Sequence, residues 1–486
     1  MQVPADVTAT SMGESGEQPN IGSSTEGGEI RLESGDAKIS PIAEKDAGEK
    51  NMFATDAADG NPAVGSTAAP RRVKRKRPPR SAVGKDPLIE LLATREVEDK
   101  EGGEKMEPGV EEKPRVLVLN TGGTLGMRKD QCGRLAPAPG YLTSQMLRMQ
   151  DLCNSDDMPG FDIAEYEPLL DSSCFRPRDW VRIAMDIGRA YHAYDGFVVC
   201  MGTDTMAYTA SALSFMLENL AKTVVFTGSQ IPFAEVYNDA RRNMAIAMIM
   251  AANQEIPEVC LFFSDRLLRA NRAVKVDSLA LSAFASPNFP PLGLLGVSMR
   301  YRRDLVMPQP RGPFRVHTRM DYRVVVFKLI PGFDDEALMV VSRYTTKLRA
   351  VVLELYGTGN SPSRRKEFLH FIQVANERDI LVVAVTQCRQ GAVDLETYAV
   401  GAALQENGVI SGGDMTTEAV VAKLAYLFGR TNDTKTVRRM MSKNLRGELS
   451  PSGSFVHPIY YTGLKTDVDP LDSDQGSRDV GPYPRL

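Results

Sequence analysis

The chain has 486 residues, 42% of them hydrophobic, so it can bury a large core, and a prior of about 150 residues per domain divides it into about three segments. A formal net charge of −4 leaves no basic signature across the whole chain and speaks against a general nucleic-acid binder. Six cysteines without CxxC pairs, four widely spaced histidines, no apolar run of about 18 residues and no leader-like N-terminus exclude a disulfide scaffold, a His/Cys metal centre and a membrane span, and predict a soluble protein of the cytosol or nucleus.

Residues 1–112 are rich in Gly, Ser, Glu, Asp, Ala and Pro and nearly lack aromatic residues, which predicts a disordered arm. Within it, RRVKRKRPPR at Arg71–Arg80 is a basic run of the kind an import receptor reads, although a solvated charged tail has the same composition. The apolar patch beginning at Pro87 is long enough for a helical turn or two against the folded part.

From residue 113 to 300 strands alternate with helices. RVLVLN at Arg115 is apolar on both faces, as a strand inside a parallel sheet is, and it runs into Thr121-Gly122-Gly123-Thr124. A Gly- and Pro-rich loop, Gly133–Gly140, reads as a mobile lid over that turn. Then follow a strand Phe161–Leu170 ending in Asp171-Ser172-Ser173, an amphipathic helix Arg178–Tyr191, and a buried strand Gly196–Met201. A second Gly/Thr turn, Gly202-Thr203-Asp204-Thr205, opens the helix MAYTASALSFMLENL. A strand Thr223–Thr227 ending in Gly228-Ser229-Gln230, a helix Asn238–Ala252 and a strand Glu258–Phe263 complete a βαβαβ series. Parallel strands joined by helices predict a doubly wound α/β domain. Arg269–Lys275 reads as a charged loop.

A Pro- and Arg-rich linker, 301–322, leads to a smaller α/β domain over 323–466. Its strands are Arg323–Ile330, Ala350–Leu355 and Ile380–Thr386, and its helices Asp334–Arg343, Ser363–Glu377, Thr416–Phe428 and Thr434–Asn444. The tail 467–486 again has a disordered composition.

The chemistry sits at the two Gly/Thr turns. Each directly follows a buried strand, so in a parallel sheet both reach the same edge, where ligands of such sheets bind. Thr124 is the candidate reactive hydroxyl, with Thr203 and Asp204 converging on it. A threonine needs a group to take its proton, and Lys275 is the candidate. Neither turn matches GxGxxG or GxxxxGK[ST], so a nucleotide site is not indicated.

The segments VLNTGGTLGM, CMGTDTMAYTASALSFMLENL, VVFTGSQIPFAEVYNDARRN and SPNFPPL together resemble the bacterial-type L-asparaginases, most closely the cytosolic type I branch, from about Arg115 to Pro451. The resemblance implies a larger and a smaller α/β domain, no cofactor, L-asparagine as substrate, and active sites between subunits of a homodimer or homotetramer. It implies Thr124 as nucleophile, Thr203, Asp204 and Lys275 as a second catalytic group, and Asp171 and Ser172 as the grip on the substrate's α-amino and α-carboxylate groups. A free amino acid carries both charges, so an anionic pocket beside hydroxyl or backbone donors makes electrostatic sense.

Two positions depart from the family pattern. Gly133 is followed by Arg134 where relatives often carry a lid tyrosine; Tyr141 lies further along, and Tyr398 matches a tyrosine that some type I relatives contribute from the adjacent subunit. At the positions of the type I allosteric asparagine site, Val274 and Glu354 replace a threonine and an arginine, while Cys388 is retained. Two other readings are a catalytically silent scaffold of the same fold and an amide-hydrolysing subunit of a tRNA-dependent amidotransferase.

Overall fold

The protein's structure, a computed structural model, describes residues 86–101 and 113–451. The basic run 71–80, the remainder of the expected arm and the tail 467–486 lie outside the described residues.

An eight-stranded sheet forms the larger half. Its order is Met299–Tyr301, Gly293–Leu295, Arg266–Arg269, Val259–Phe263, Thr223–Thr227, Gly196–Cys200, Arg115–Gly122, Gly160–Leu170. The last five are mutually parallel. Side chains alternate across each strand: Leu117 and Leu119 enter the core on one face, Val116 and Val118 the core on the other, and all four are fully buried. The helix Pro177–Ala190 covers the first face and Ala240–Ala251 the second. The chain steps from the Arg115–Gly122 strand to Gly160–Leu170 on one side and then to Gly196–Cys200 on the other, so a topological switch point lies at their carboxyl ends.

The fold is the expected α/β class, a larger doubly wound sheet followed by a smaller α/β unit, with four local corrections. The sheet is mixed: Ser264 and Asp265 alone join Val259–Phe263 to Arg266–Arg269, and a two-residue connection permits only an antiparallel return. The helix after the second Gly/Thr turn stops at Met216, because Leu217–Glu218 pairs with Arg315–Val316 of the linker. That linker is laid on the larger half, with Phe314 stacked 3.7 Å from the Tyr191 ring. Residues expected in the disordered arm form a 15-residue helix, Pro87–Glu101. Leu88, Leu91 and Leu92, at helical spacing, pack on the core, and Asp86 pairs with Arg189 at 3.1 Å. Lastly, the charged loop expected over Arg269–Lys275 is largely buried. Arg269 and Arg272 are 3% and 2% exposed, the first bidentate on Glu258 and the second 2.6 Å from Asp414.

The smaller half is a parallel sheet, Val324–Lys328, Ala350–Leu355, Leu381–Thr386, Ile410–Ser411. Its face carrying Val352 and Val383 joins the core that contains Leu117, through the helices Met206–Met216 and Thr417–Arg430. The segment Leu445–Ser450 then folds back, where Gly447 accepts from Arg272 and the fully buried pair Lys423–Glu448 closes at 2.7 Å. Ordering so many charges inside is tolerable because each is partnered.

Candidate active site

Three loops from adjacent strand ends meet at the switch point. A Cβ on Gly123 would stand 2.6 Å from Gly202 Cα, one on Gly122 2.8 Å from Leu170 N, and one on Gly202 2.8 Å from Ser172 Cβ. The two Gly/Thr turns therefore touch through backbone, the first also touches the backbone of Leu170, and the Ser172 side chain packs on Gly202, approaches that only glycine allows. Gly122 and Gly123 also take φ of 125° and 93°, conformations foreign to other residues.

Hydrogen bonds sort the threonines. Thr121 donates to the Cys200 carbonyl at 2.8 Å and Thr205 to that of Ser172 at 2.7 Å, so both hydroxyls fasten the turns together. Thr124 begins a short helical turn, Thr124–Gly126, and its hydroxyl takes no hydrogen bond among the described residues. Lys275 lies in a two-residue strand, Val274–Lys275, paired with Phe284–Ala285. Its Nζ donates to Thr203 Oγ1 at 2.8 Å and to Asp204 Oδ1 at 2.7 Å. The lysine side chain is 19% exposed, whereas that of Asp204 is 63% exposed and open to a ligand.

Ser172 is buried against Gly202, while Asp171 is exposed and accepts from the Ser173 N–H and hydroxyl, both at 2.8 Å. The site thus offers two carboxylates, Asp171 and Asp204, beside a cluster of hydroxyls and backbone N–H groups. Within the segment read as a lid, Leu135–Pro137 pairs with the preceding Met127–Lys129 as a hairpin. It is tied by Lys129 to Glu235 at 2.6 Å, and Glu165 accepts from Asn120 and Thr143 at its base.

Residues 115–307 match the family model described as asparaginase, N-terminal, and residues 323–441 match the glutaminase/asparaginase C-terminal domain. The chain belongs to the asparaginase family. It is 46% identical to L-asparaginase 1 of Escherichia coli over 70% of this chain and 99% of that protein. It is 40% identical to the human 60 kDa lysophospholipase over 69% of this chain and 62% of that protein. The crystal structure of L-asparaginase I from Vibrio cholerae superposes with a TM-score of 0.64 at 41% identity, over 70% of this chain and all of the other. These likenesses place the chain in the type I branch, among amide-hydrolysing enzymes.

Five of the seven site residues read from the asparaginase motifs come together at the loops just described, namely Asp171, Ser172, Thr203, Asp204 and Lys275. Thr124 joins them through Gly123, its neighbour in the turn. Tyr398 stands apart: it precedes the helix Ala399–Glu406 on the surface, 52% exposed. Val274, Glu354 and Cys388 line one cavity of about 290 Å³ that also reaches Lys275. There Glu354 accepts from Thr417 at 3.0 Å and lies 3.9 Å from Lys328, and burial together with Glu418 and Glu354 pushes the Tyr208 phenol up to about 12.

Sequence reasoning passed over Asp239 and Asn243, which brace the Gly228–Gln230 turn beside the site, and the side chain of Gln230, which donates from that turn to the Ser278 and Ala280 carbonyls. The signal available was the run of polar residues in VYNDARRN at the start of an otherwise apolar helix.

Proposed function

We propose that this asparaginase-family enzyme hydrolyses L-asparagine to L-aspartate and ammonia, with Thr124 as the nucleophile. The observation that carries the reading is the junction of the three loops, where Lys275 holds Thr203 and Asp204 beside a threonine whose own hydroxyl is uncommitted. Asp204 and Asp171 face the substrate's ammonium group, and Ser172 with neighbouring backbone donors faces its carboxylate.

Thr124 Oγ attacks the side-chain amide carbon, and its proton passes by way of Thr203 and Lys275 to the departing nitrogen. The Oγ–C bond forms, the C–N bond breaks, and ammonia leaves. Water then adds to the aspartyl ester carbon and gives one proton to Thr124 Oγ as the C–Oγ bond breaks, and aspartate departs with the other proton released from its new carboxyl. Backbone N–H groups of the Gly-rich turns stabilise the oxyanion in both halves, and loss of one such donor costs about 2.7–4 kcal/mol.

The enzyme acts in the cytoplasm as a homodimer or homotetramer, in which Tyr398 of a second copy completes the site; its exposure in the single chain suits that role. The basic composition of Arg71–Arg80 suits recognition by an import receptor, which tagged chains with and without that run test by their distribution in cells. Ammonia release from asparagine and from glutamine, measured on the wild type and on Thr124→Ala, tests the central reading and ranks the two amides. A pocket one methylene longer changes discrimination by only about 1–3 kcal/mol, so the ranking has to be measured.

A further inference from the structure

The Thr223–Thr227 strand ends in Gly228-Ser229-Gln230, a turn wedged between the two halves of the proposed site. A Cβ on Gly228 would meet the Met201 carbonyl oxygen at 2.5 Å and Thr203 Cγ2 at 3.7 Å, so this backbone lies directly beneath the second Gly/Thr turn. Asp239 fixes it from below, accepting from the Gln230 N–H at 3.1 Å and the Ile231 N–H at 3.0 Å. Asn243 donates to the Gly228 carbonyl at 3.0 Å and to Asp239 at 3.2 Å. Further on, the Phe233 N–H donates to the Leu125 carbonyl at 3.1 Å, inside the turn that Thr124 begins. The segment 228–233 is thus a braced base that touches the Thr203 side and the Thr124 side together.

From this base the Gln230 side chain reaches across to the loop that follows Lys275. Its Nε2 donates to the Ser278 carbonyl and to the Ala280 carbonyl, both at 3.2 Å. Both amide protons are spent on one loop. Within itself that loop is held by local bonds alone, Asp277 accepting from Leu279 and Ala280 at 2.7 and 2.8 Å and Ala283 accepting from Val276 and Asp277 at 2.8 and 3.3 Å, and its Leu279 is 90% exposed. Lys275 itself sits on a strand of two residues and carries a long flexible side chain.

We propose that Gln230 is a positioning residue that sets Lys275 against Thr203 and Asp204 by tying the loop after Lys275 to the base that also holds the Thr124 turn. It rests on the reading of Lys275 as a proton carrier. The two loop carbonyls accept only, so the residue facing them must donate twice, as the Gln230 amide nitrogen does without bringing a charge. A carboxylate there repels both carbonyls, and an apolar side chain leaves the loop untied.

The test compares Gln230→Met, which keeps the length and removes both donors, with Gln230→Glu and with Lys275→Met, on the full chain. Ammonia release gives kcat and KM, and thermal midpoint and amide hydrogen exchange report on folding and on the loop. A shift of about 1 Å in a reacting group costs about a hundredfold, so kcat of both Gln230 variants falls by about 10- to 100-fold. KM for asparagine stays within about threefold, since Asp171, Ser172 and Asp204 all lie outside the loop that Gln230 ties. Exchange speeds up over 276–283 and stays unchanged over 115–126, with the thermal midpoint preserved. Wild-type kcat in Gln230→Met beside an inactive Lys275→Met overturns the assignment of Gln230 alone. Unchanged exchange over 276–283, or a loss confined to KM, overturns it as well. Wild-type turnover in Lys275→Met instead removes the reading on which it stands.

Discussion

Gly123→Ala tests whether the approach of the two Gly/Thr turns builds the site. The added Cβ falls 2.6 Å from Gly202 Cα and from the Met201 carbonyl carbon, against an ordinary contact of at least 3.4 Å. Backbone lies on both sides, so relief requires the turns to part by about 1 Å. Gly123 also has φ 93° and ψ 176°, a region nearly closed to alanine, which adds about 1–3 kcal/mol of strain. Because Thr124 follows directly, a displacement of about 1 Å between Thr124 and Thr203 predicts a fall in kcat of about a hundredfold. Gly332→Ala is the control: φ is 80°, but its Cβ meets nothing within 4 Å, so strain appears without displacement. Steady-state ammonia release and thermal melting of both variants separate the two effects. A folded Gly123→Ala enzyme with kcat within about threefold of wild type refutes the reasoning.

Thr121→Val removes the bond to the Cys200 carbonyl and costs about 1–3 kcal/mol of stability while retaining turnover, whereas Thr124→Val abolishes turnover and melts like the wild type. Calorimetry beside an ammonia assay distinguishes them. Asparagine with its α-amine acetylated is a poor substrate, because Asp204 and Asp171 then face no ammonium; comparable kcat/KM for the two compounds contradicts that placement. Leu88→Ala destabilises the protein by about 2–5 kcal/mol in denaturant titration without changing kcat, because Leu88 is 2% exposed. Rate against asparagine concentration is hyperbolic on the account that an effector binds in the cavity lined by Val274 and Glu354, since the Glu354 carboxylate there repels an effector's own carboxylate and Val274 offers no hydroxyl donor. A Hill coefficient well above one at constant protein concentration contradicts this.

What the sequence made legible was whatever is local. Strands such as Thr223–Thr227 and Ala350–Leu355 have the bounds read from their apolar runs, because burial on both faces leaves no other composition. The site motifs were legible for the same reason: each is a few residues at a strand end, and parallel topology alone brings those ends to one edge. The burial of Arg272 was hidden within what reads as a charged loop because its partner, Asp414, lies 142 positions away, and nothing near it in the chain announces a counter-ion. The early end of the Met206–Met216 helix was hidden likewise, since Leu217–Glu218 is diverted by pairing with Arg315–Val316 across the fold. Pro87–Glu101 was underestimated because its apolar stripe is short and surrounded by charge. Tyr398 could not be placed at the site from one chain, where it is exposed.

The most direct measurement is to quench the enzyme with acid during turnover of asparagine and map the covalent aspartyl ester by peptide mass spectrometry. Lys275 touches Thr203 rather than Thr124, so Thr203 is the rival nucleophile. An ester on the peptide carrying Thr124, absent from Thr124→Ala, is the predicted result. An ester on Thr203, with Thr124→Ala still labelled, contradicts it.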